Sequence, residues 1–289
     1  GKSAAEIGEA GQAGAFLKMG IGARVLGLGG AFVGLADDGS AAFWNVAGLT
    51  NVSHKEFTTM HAILNLDRKF NYLGYVQPLP ERFVFGLGWM RFGVDMIEER
   101  AGANDPRGYS TGELIGFFDD AEDCLTGSVA WETKGGYSLG MNLKYLRQKL
   151  YTAQAWSMGM DLGLYYRPNR YFSFGTSVRD VGTELKWDTA SGKKDKVPIT
   201  TTIGCAFHPR SNISMVLDIR KMEDLRATAH FGVEGWINEF VVARGGLDDG
   251  DLCLGSSFRW GRWLFDYGFQ DHDMGDIHRI SGTLRFDFP

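Results

Sequence analysis

Hydrophobic and polar residues alternate with a period of two along most of the chain from residue 54 onward. In the last segment Ile280, Leu284 and Phe286 share one face, whereas Ser281 and Arg285 share the other. Successive side chains of a strand point to opposite sides of a sheet, so this period predicts β-strands. About fourteen such segments are predicted: 54–63, 68–78, 83–92, 123–133, 136–148, 154–167, 170–182, 197–208, 211–221, 224–237, 239–247, 251–260, 262–271 and 277–288.

The lengths and connections of these segments favour a membrane barrel over a soluble β-sandwich, although both alternate. The segments span about 9 to 13 residues, whereas strands of soluble proteins average about 5 to 6. Aromatic residues gather near the segment ends, as an interfacial girdle requires. Short turns alternate with longer connections at 93–122, 184–196, 247–250 and 271–276. Residues 54–289 are therefore predicted to form an all-β transmembrane antiparallel barrel of about 14 strands.

Composition and charge narrow the function classes. The chain has 289 residues, of which 40 are glycine, and its net charge is −5. This mild acidity gives no reason to expect nucleic acid as a partner. The three cysteines and six histidines have no metal-binding spacing, and no cofactor motif stands out, so we expect neither a metal nor a cofactor. The chain starts at Gly1, which is compatible with signal-peptide cleavage and a bacterial outer-membrane location.

Many glycines fall on the inward face of the predicted strands. Two explanations stay open: larger side chains would crowd a filled lumen, or glycine relieves the coiling of the strands. The positions concerned are Gly140, Gly159, Gly163, Gly175, Gly232, Gly255 and Gly268.

Residues 1–53 are small, Gly- and Ala-rich, and do not alternate. Gly27, Gly29 and Gly30 suggest a dinucleotide loop only weakly, because no strand precedes them and no βαβ unit follows. We predict instead a hatch or plug segment folded into the lumen. Asp37 and Asp38 could bind a cation, bond to the inner wall, or cap a turn, and the cap is favoured. The candidate hatch residues are Gly29, Gly30, Asp37, Asp38, Trp44, Asn45 and Gly48.

The N-terminal residues carry a family resemblance. The runs 16–24, 27–33, 36–38 and 44–49 closely resemble the start of mature PorV/PorQ-family outer-membrane proteins, which are relatives of the FadL-type barrels. Weaker similarity continues at 115–118, 143–146 and 174–182. One departure is Val46, which replaces the proline usual in the Asn-Pro-Ala-Gly motif, so that the turn lacks proline's fixed φ.

The resemblance implies a fourteen-stranded FadL-like barrel with an N-terminal hatch. PorV-like members bind the C-terminal domains of secreted cargo and carry them to the attachment complex of type IX secretion. The first hypothesis is therefore a protein-binding shuttle or scaffold subunit. Its partners would be outer-membrane lipid, a larger envelope or secretion complex, and secreted cargo domains. The alternative is a FadL-like transporter of hydrophobic small molecules, which predicts an apolar pocket between hatch and wall near Phe32, Phe43 and Trp44.

Charged residues of both signs fall on the inward parity and are predicted to form a mixed polar lumen without strong ion selectivity. The candidates are Lys144, Asp161, Arg179, Asp218, Arg226, Glu234 and Arg285. Catalysis is not expected, because neither Ser257 nor Ser281 has a recognisable base in the sequence.

The longest predicted loop, 93–122, is the largest feature of the outer rim. Its aromatic residues Tyr109, Phe117 and Phe118 suit partner contact or a lumen lid, and folding back into the barrel as filler is an equal alternative. At the other end of the chain, the alternating aromatics of 285–288 resemble the recognition signal of outer-membrane barrels.

Overall fold

The computed structural model describes residues 13–64, 68–103, 105–189, 192–272 and 275–286. Within these ranges the chain forms sixteen strands, and fourteen of them close into an antiparallel barrel, which confirms the predicted fold class. In chain order the strands are β1 (Lys55–Ile63), β2 (Arg68–Pro78), β3 (Phe83–Arg100), β4 (Leu114–Glu132), β5 (Tyr137–Leu150), β6 (Ala153–Tyr166), β7 (Phe172–Val181), β8 (Glu184–Trp187), β9 (Lys194–Lys196), β10 (Thr200–Arg210), β11 (Ile213–Met222), β12 (Ala227–Trp236), β13 (Val241–Asp248), β14 (Asp251–Trp260), β15 (Trp263–Gln270) and β16 (Ile277–Phe286).

The first and last strands join to close the barrel. Strand β1 pairs with β16 from Lys55↔Phe286 to Ile63↔His278. The side chains support the seam, because Arg285 Nε donates to Glu56 Oε1 at 2.9 Å on its inner face. Strands β8 and β9 stand apart from the barrel as a small hairpin that extends from the edge of β6.

The apolar face of the repeat points out of the barrel. On β6, Met158 is 64% exposed and Leu162 is 43% exposed, whereas the alternate residue Asp161 is 3% exposed. Aromatic rings stack near one rim in the pairs Phe83–Trp131, Tyr137–Tyr166 and Phe172–Phe207. An exposed apolar band bordered by aromatic rings is the surface that a bilayer covers. The short turns and the ends of β1 and β16 lie at this same rim, which is the periplasmic side in bacterial barrels.

The prediction of a loop over 93–122 is wrong. Strands β3 and β4 continue as a paired ribbon through Ile97↔Phe118 to Arg100↔Leu114, and only 101–113 connect them. Charged residues such as Asp95 and Glu98 interrupt the alternation here, and the register shifts between Val94 and Ile97. A ribbon that is exposed on both faces needs no apolar face, so the period of two gives no signal there. Likewise, the predicted connection 184–196 contains the hairpin β8–β9.

The N-terminal segment, defined here as residues 13–53, contains short helical turns. They are a 3₁₀ turn (Ala15–Met19), α1 (Ala23–Gly27), α2 (Ala41–Trp44) and a second 3₁₀ turn (Val46–Asn51); one further 3₁₀ turn, Pro80–Arg82, joins β2 to β3. Among the described residues, no helix is long and apolar enough to cross a membrane. The segment is deeply buried, and Ile21, Leu28 and Phe32 are each 0% exposed. It supplies the centre of the hydrophobic core.

The facing of β6 can be tested with arginine. Leu162→Arg places a charge on the lipid-facing surface and should cost about 2–4 kcal/mol of folding free energy in a bilayer. Ile237→Arg, in a turn at the rim, should cost about 0–1 kcal/mol, because charges near the interface stay hydrated. Denaturant titrations of the two variants in lipid vesicles would measure the difference, and equal costs would contradict the assigned orientation. A substitution at the inward-facing Gly159 would not serve as a control for the outward-facing Leu162, since a β-carbon there would collide with Thr183.

Candidate functional site

The candidate site is the interface between the N-terminal segment and the inner wall. Helix α1 packs against β13 to β16, and the 3₁₀ turn Val46–Asn51 packs against β3 to β6. The segment therefore touches opposite parts of the barrel and occupies the space between them.

Glycines allow the segment to approach the wall backbone to backbone. A β-carbon at Gly140 would lie 2.5 Å from the backbone nitrogen of Ala47, and one at Gly232 would lie 2.6 Å from the carbonyl oxygen of Leu28. Of the seven inward glycines predicted from the sequence, all except Gly159 meet the segment in this way. Crowding in a filled lumen therefore explains these glycines better than relief of strand coiling.

The glycines of the segment itself are equally constrained. Gly29 and Gly30 have φ values of 65° and 74°, which favour glycine, and a β-carbon at Gly29 would lie 2.5 Å from the carbonyl oxygen of Leu247. At Gly48 a β-carbon would collide with Ala36 of the same segment. Gly29 and Gly48 therefore lie where there is no room for a side chain, whereas at Gly30 it is the positive φ that favours glycine.

Trp44 and Asn45 hold the middle of the segment. Trp44 Nε1 donates to the carbonyl oxygen of Ile21 at 3.0 Å. Asn45 Nδ2 donates at 3.0 Å to two carbonyl oxygens, Val33 in the segment and Leu164 in the wall. Asn45 also accepts from the backbone N–H of Ala47 at the start of the 3₁₀ turn. One amide side chain thus satisfies backbone groups on both sides of the interface.

Asp37 and Asp38 both pair with the guanidinium of Arg24, so the cation that they bind is a side chain of the protein itself. Arg24 Nη1 lies 2.6 Å from Asp37 Oδ1 and 2.7 Å from Asp38 Oδ2. Asp38 also accepts from the backbone N–H of Ser40 at 2.8 Å, which is the turn-capping contact expected from the sequence. The link to the wall is indirect, because Arg24 bridges both carboxylates to Glu234 on β12 at 2.7 Å.

An ionic network continues from Glu234 along the wall. Arg244 Nε donates to Glu234 at 2.5 Å, and its Nη1 reaches Ser257 and, at 3.4 Å, Asp266. Ser257 in turn donates to Asp266. Buried charges are stable only when they are paired and hydrogen-bonded, so this chain of contacts fixes Arg24 against β12 to β15.

Asp218 anchors the segment at a second place. Both backbone N–H groups of Phe32 and Val33 donate to Asp218 Oδ2 at 2.8 Å. Nearby, Arg220 donates to the carbonyl oxygen of Gly30 at 2.9 Å, and His230 lies 2.7 Å from Asp248. These contacts use polar wall residues to satisfy a stretch of backbone that has no helix or strand of its own.

Lys144, Asp161 and Arg179 occupy the other side of the lumen. Lys144 Nζ lies 2.6 Å from Asp161 and also contacts Asp180, which is at the register shift between β6 and β7. The Arg179 guanidinium lies 4.5 Å from the centre of the Phe43 ring and 5.5 Å from that of Trp44. Inward charges are thus neutralised in clusters of opposite sign or cover aromatic rings of the segment.

Two predicted lumen residues lie near the barrel ends. Arg285 is inward but 32% exposed, and it bonds Glu56 at the seam. The prediction for Arg226 is wrong: it precedes β12, its side chain is 56% exposed, and it pairs with Asp249 at the rim. Arg226 has the inward parity of β12, but the strand begins one residue after it. Its side chain therefore lies at the rim and not inside the barrel. Asp287 and Phe288 lie outside the described residues.

The predicted partner-binding residues divide between loop and strand. Tyr109 is in the connection 101–113, where Arg107 covers its ring at 5.8 Å. In the same connection, hydrogen bonds from Arg107 lower the pKa of Asp105. Phe117 and Phe118 are instead strand residues of β4; Phe117 is 51% exposed, and Phe118 packs edge-on against Tyr151. None of the three closes over the lumen in the described contacts.

Sequence reasoning missed the strongest anchors, which are Arg24, Glu56, Arg244 and Arg279. Arg279 donates to the carbonyl oxygen of Met19. Three of these residues lie on inward parity in correctly predicted strands, so parity alone could have found them. Arg24 had no such signal, because its segment does not alternate and its wall partner is 210 residues away in sequence.

Two apolar pockets lie on opposite sides of one part of the wall. The inner one is a cavity of about 20 Å³ lined by Leu17, Ala42, Phe43, Tyr72, Gly88, Met90, Cys124, Thr126, Asn142, Lys144 and Asp161. The outer one is a groove of about 510 Å³ lined mainly by outward side chains of β1 to β6, including Phe57, Leu73, Leu87, Trp89, Leu125 and Met158. Gly88, Thr126 and Lys144 border both. Phe43 lines the inner cavity, where the transporter hypothesis places an apolar pocket, whereas Phe32 and Trp44 are not among the lining residues of these two pockets.

Comparison with known proteins identifies the fold. Neither a protein-family model nor a curated protein matches the chain. Among solved structures, the Pseudomonas putida toluene transporter TodX matches with a TM-score of 0.63 and 12% identity over 92% of this chain and 97% of TodX. The CymD monoaromatic hydrocarbon channel gives 0.66 and 14% over 93% and 98%, and a Pseudomonas aeruginosa FadL homologue gives 0.61 and 13% over 92% and 98%.

Identities this low show the fold alone, so the FadL-like barrel expected from the sequence is confirmed. The narrower resemblance to the PorV/PorQ family finds no support in these comparisons.

The glycine contacts can be tested at Gly175. In Gly175→Ala the new methyl group collides with the carbonyl oxygen of Val33, so the segment must move away from β7. We expect faster protease cleavage between residues 31 and 48 and a higher conductance in planar bilayers. Gly245→Ala, whose methyl group meets no atom within 4 Å, is the matched control. Unchanged proteolysis and conductance in Gly175→Ala would contradict tight packing of the segment on the wall.

Proposed function

We propose that the protein is a bacterial outer-membrane channel for small hydrophobic molecules, and that its N-terminal segment acts as the hatch. The observation that carries this proposal is the pair of apolar pockets that face each other across the wall at Gly88 and Thr126. A purely aqueous pore would need neither an apolar cavity inside nor an apolar groove on the lipid side.

The wall between the pockets is thin. Gly74 pairs with Gly88, Gly88 with Thr126 and Thr126 with Lys144, so the small residues form one row across β2 to β4 that ends at Lys144 on β5. At Gly88, which borders both the cavity and the groove, the wall has no side chain of its own. An apolar molecule in the cavity would therefore be one sheet layer from the hydrocarbon core.

Tyr72 is the side chain that fills this thin region. A β-carbon at Gly74 would lie 2.5 Å from the Tyr72 hydroxyl, and one at Gly88 would lie 3.2 Å from it, so the ring covers both glycines from inside. The inner cavity of about 20 Å³ has room for roughly one water molecule. Under this proposal the structure corresponds to a closed state, and transport would require Tyr72 or the segment to move.

The fold supports the same proposal. TodX is a toluene transporter and CymD a monoaromatic hydrocarbon channel, and a FadL homologue shares the architecture. We extend their hydrophobic substrate class to this chain because the cavity and the groove that meet at Gly88 and Thr126 are mainly apolar. No catalytic step is proposed, since Ser257 and Ser281 are engaged with Asp266 and the backbone N–H of Ala23.

A second candidate is the protein-binding subunit that the sequence resemblance implies, with a secretion complex and cargo domains as partners. The ribbon of β3 and β4 and the connection at its tip favour it, because Phe117 on the ribbon is 51% exposed and Tyr109 in the connection is 41% exposed. Co-purification of a large envelope barrel or of cargo domains with the full chain, lost on replacing Phe117 and Tyr109 by serine, would support this candidate. Isolation without any such protein would count against it.

The transport proposal is tested by filling the outer groove. Gly127→Trp adds a ring on the lipid side beside Leu125 and Leu143, and folding should be preserved because a β-carbon at this position meets no atom within 4 Å. Gly245→Trp adds the same ring on the lipid side of β13, away from the groove, and is the control. We expect toluene uptake by cells that produce Gly127→Trp to fall severalfold and uptake with Gly245→Trp to stay at the wild-type level.

Two results would contradict the proposal. One is equal uptake by the wild type and cells lacking the protein, which would remove the transport function. The other is an equal loss in both variants, which would trace the effect to the added tryptophan rather than to the groove. Heat-modified gel mobility of each variant checks that the barrel has folded.

A further inference from the structure

A third pocket lies at the periplasmic rim and is basic rather than apolar. Its volume is about 510 Å³, and its lining comes from two neighbouring turns: Arg167, Arg170 and Tyr171 between β6 and β7, and His208, Pro209, Arg210 and Ser211 at the end of β10. The turns are adjacent because β7 pairs with β10 up to Phe172↔Phe207. Three arginines therefore line one cavity.

Among the residues that the structure describes, these three arginines have no acidic partner within salt-bridge distance, in contrast to several other arginines. Arg24, Arg244 and Arg285 each pair with a carboxylate, and at the same rim Arg82 lies 3.2 Å from Glu132. Within the described ranges, no carboxylate lies within 4.0 Å of Arg167, Arg170 or Arg210. Like charges placed together without a counter-charge repel each other, so the pocket has a positive potential that an anion would relieve.

The pocket is built on fixed backbone. Asn169 Oδ1 accepts from the backbone N–H groups of Tyr171 at 2.8 Å and Phe172 at 3.0 Å, which holds the first turn. The Arg170 guanidinium lies 4.7 Å from the centre of the Tyr171 ring, which orients it. The backbone N–H of His208 donates to the carbonyl oxygen of Tyr171 at 2.7 Å and ties the second turn to the first.

His208 forms the floor and connects the pocket to the N-terminal segment. Its Nδ1 lies 3.0 Å from Ser214 Oγ, and its Nε2 lies 3.5 Å from Ser173 Oγ. Ser173 donates at 2.7 Å to the carbonyl oxygen of Gly34 in the segment. The register of β10 and β11 shifts between Phe207 and Arg210, and both His208 and Arg210 line the pocket at this irregularity.

We propose that this pocket binds a phosphate group. Arginine forks match phosphate oxygens in a bidentate geometry, and three of them from two turns can surround one tetrahedral anion. The rim is level with the headgroups of the periplasmic leaflet, and the stacked rings of Phe172 and Phe207, 5.0 Å apart, offer an apolar surface next to it. The phosphate can therefore come from a phospholipid headgroup or from solution. This proposal does not depend on the transport function.

The experiment uses the full chain in a zwitterionic detergent and compares two phosphate sources. Calorimetric titration with inorganic phosphate measures the soluble source. Native mass spectrometry after extraction from vesicles of equal phosphatidylglycerol and phosphatidylcholine measures retained lipid. We expect the double variant Arg167→Gln/Arg210→Gln to lose at least about tenfold in phosphate affinity or in retained phosphatidylglycerol. Arg82→Gln, at the same rim but with a carboxylate partner, should behave as the wild type.

Each outcome decides the proposal. Phosphate binding without lipid preference supports a soluble ligand, and selective retention of phosphatidylglycerol supports a headgroup. The absence of both in the wild type, or an equal loss in Arg82→Gln, overturns the proposal. If the double variant fails the gel-mobility check for folding, Arg170→Gln replaces it, because the exposed Arg170 side chain stacks on Tyr171 in the turn before β7.

Discussion

The structure depends on backbone-to-backbone contact between the N-terminal segment and the inner wall. A barrel of this size has room inside for large side chains or for a second layer of chain, and not for both. The wall has glycine where the segment crosses it, at Gly140, Gly175 and Gly232. The segment likewise has Gly29 and Gly48 at positions where neighbouring atoms leave no room for a side chain. The inward glycines of the wall are therefore explained by the N-terminal residues that fill the lumen, and they account for part of the high glycine content.

Charge pairing decides how the segment lies within that space. Close packing on glycine is nearly featureless and would tolerate sliding, whereas a buried ion pair has one register. Arg24 meets carboxylates of the segment and the wall at once, and Asp218 accepts from two successive N–H groups that have no other partner in a helix or strand. Displacing the whole segment would leave these groups buried without partners, which is costly. Opening of the lumen is accordingly expected to be local.

The sequence predicted what a repeating local rule controls. All fourteen barrel strands follow from a period of two, and the inward glycines follow from the same parity, because each strand has one lipid face and one lumen face. The period of two fails as a guide where a segment does not have one lipid face and one lumen face. Water surrounds both faces of the β3–β4 ribbon, so Phe117 was assigned to a loop, and Arg226 keeps the inward parity although it precedes its strand. Arg24 could not be found at all, since its contact with Glu234 depends on how the segment returns across the lumen.

The two sides of the lumen differ in a way that bears on where a hydrophobic molecule could pass. Strands β12 to β15 hold the segment through Arg24, Glu234 and Arg244, whereas at β2 to β4 the contacts are apolar and include Phe43, Tyr72 and a small cavity. Breaking dispersion contacts in a loosely filled region costs less than unpairing buried charges. Movement should therefore begin on the apolar side, where the glycine row also leaves the wall thinnest. The charged half then serves as the fixed support against which the other half opens.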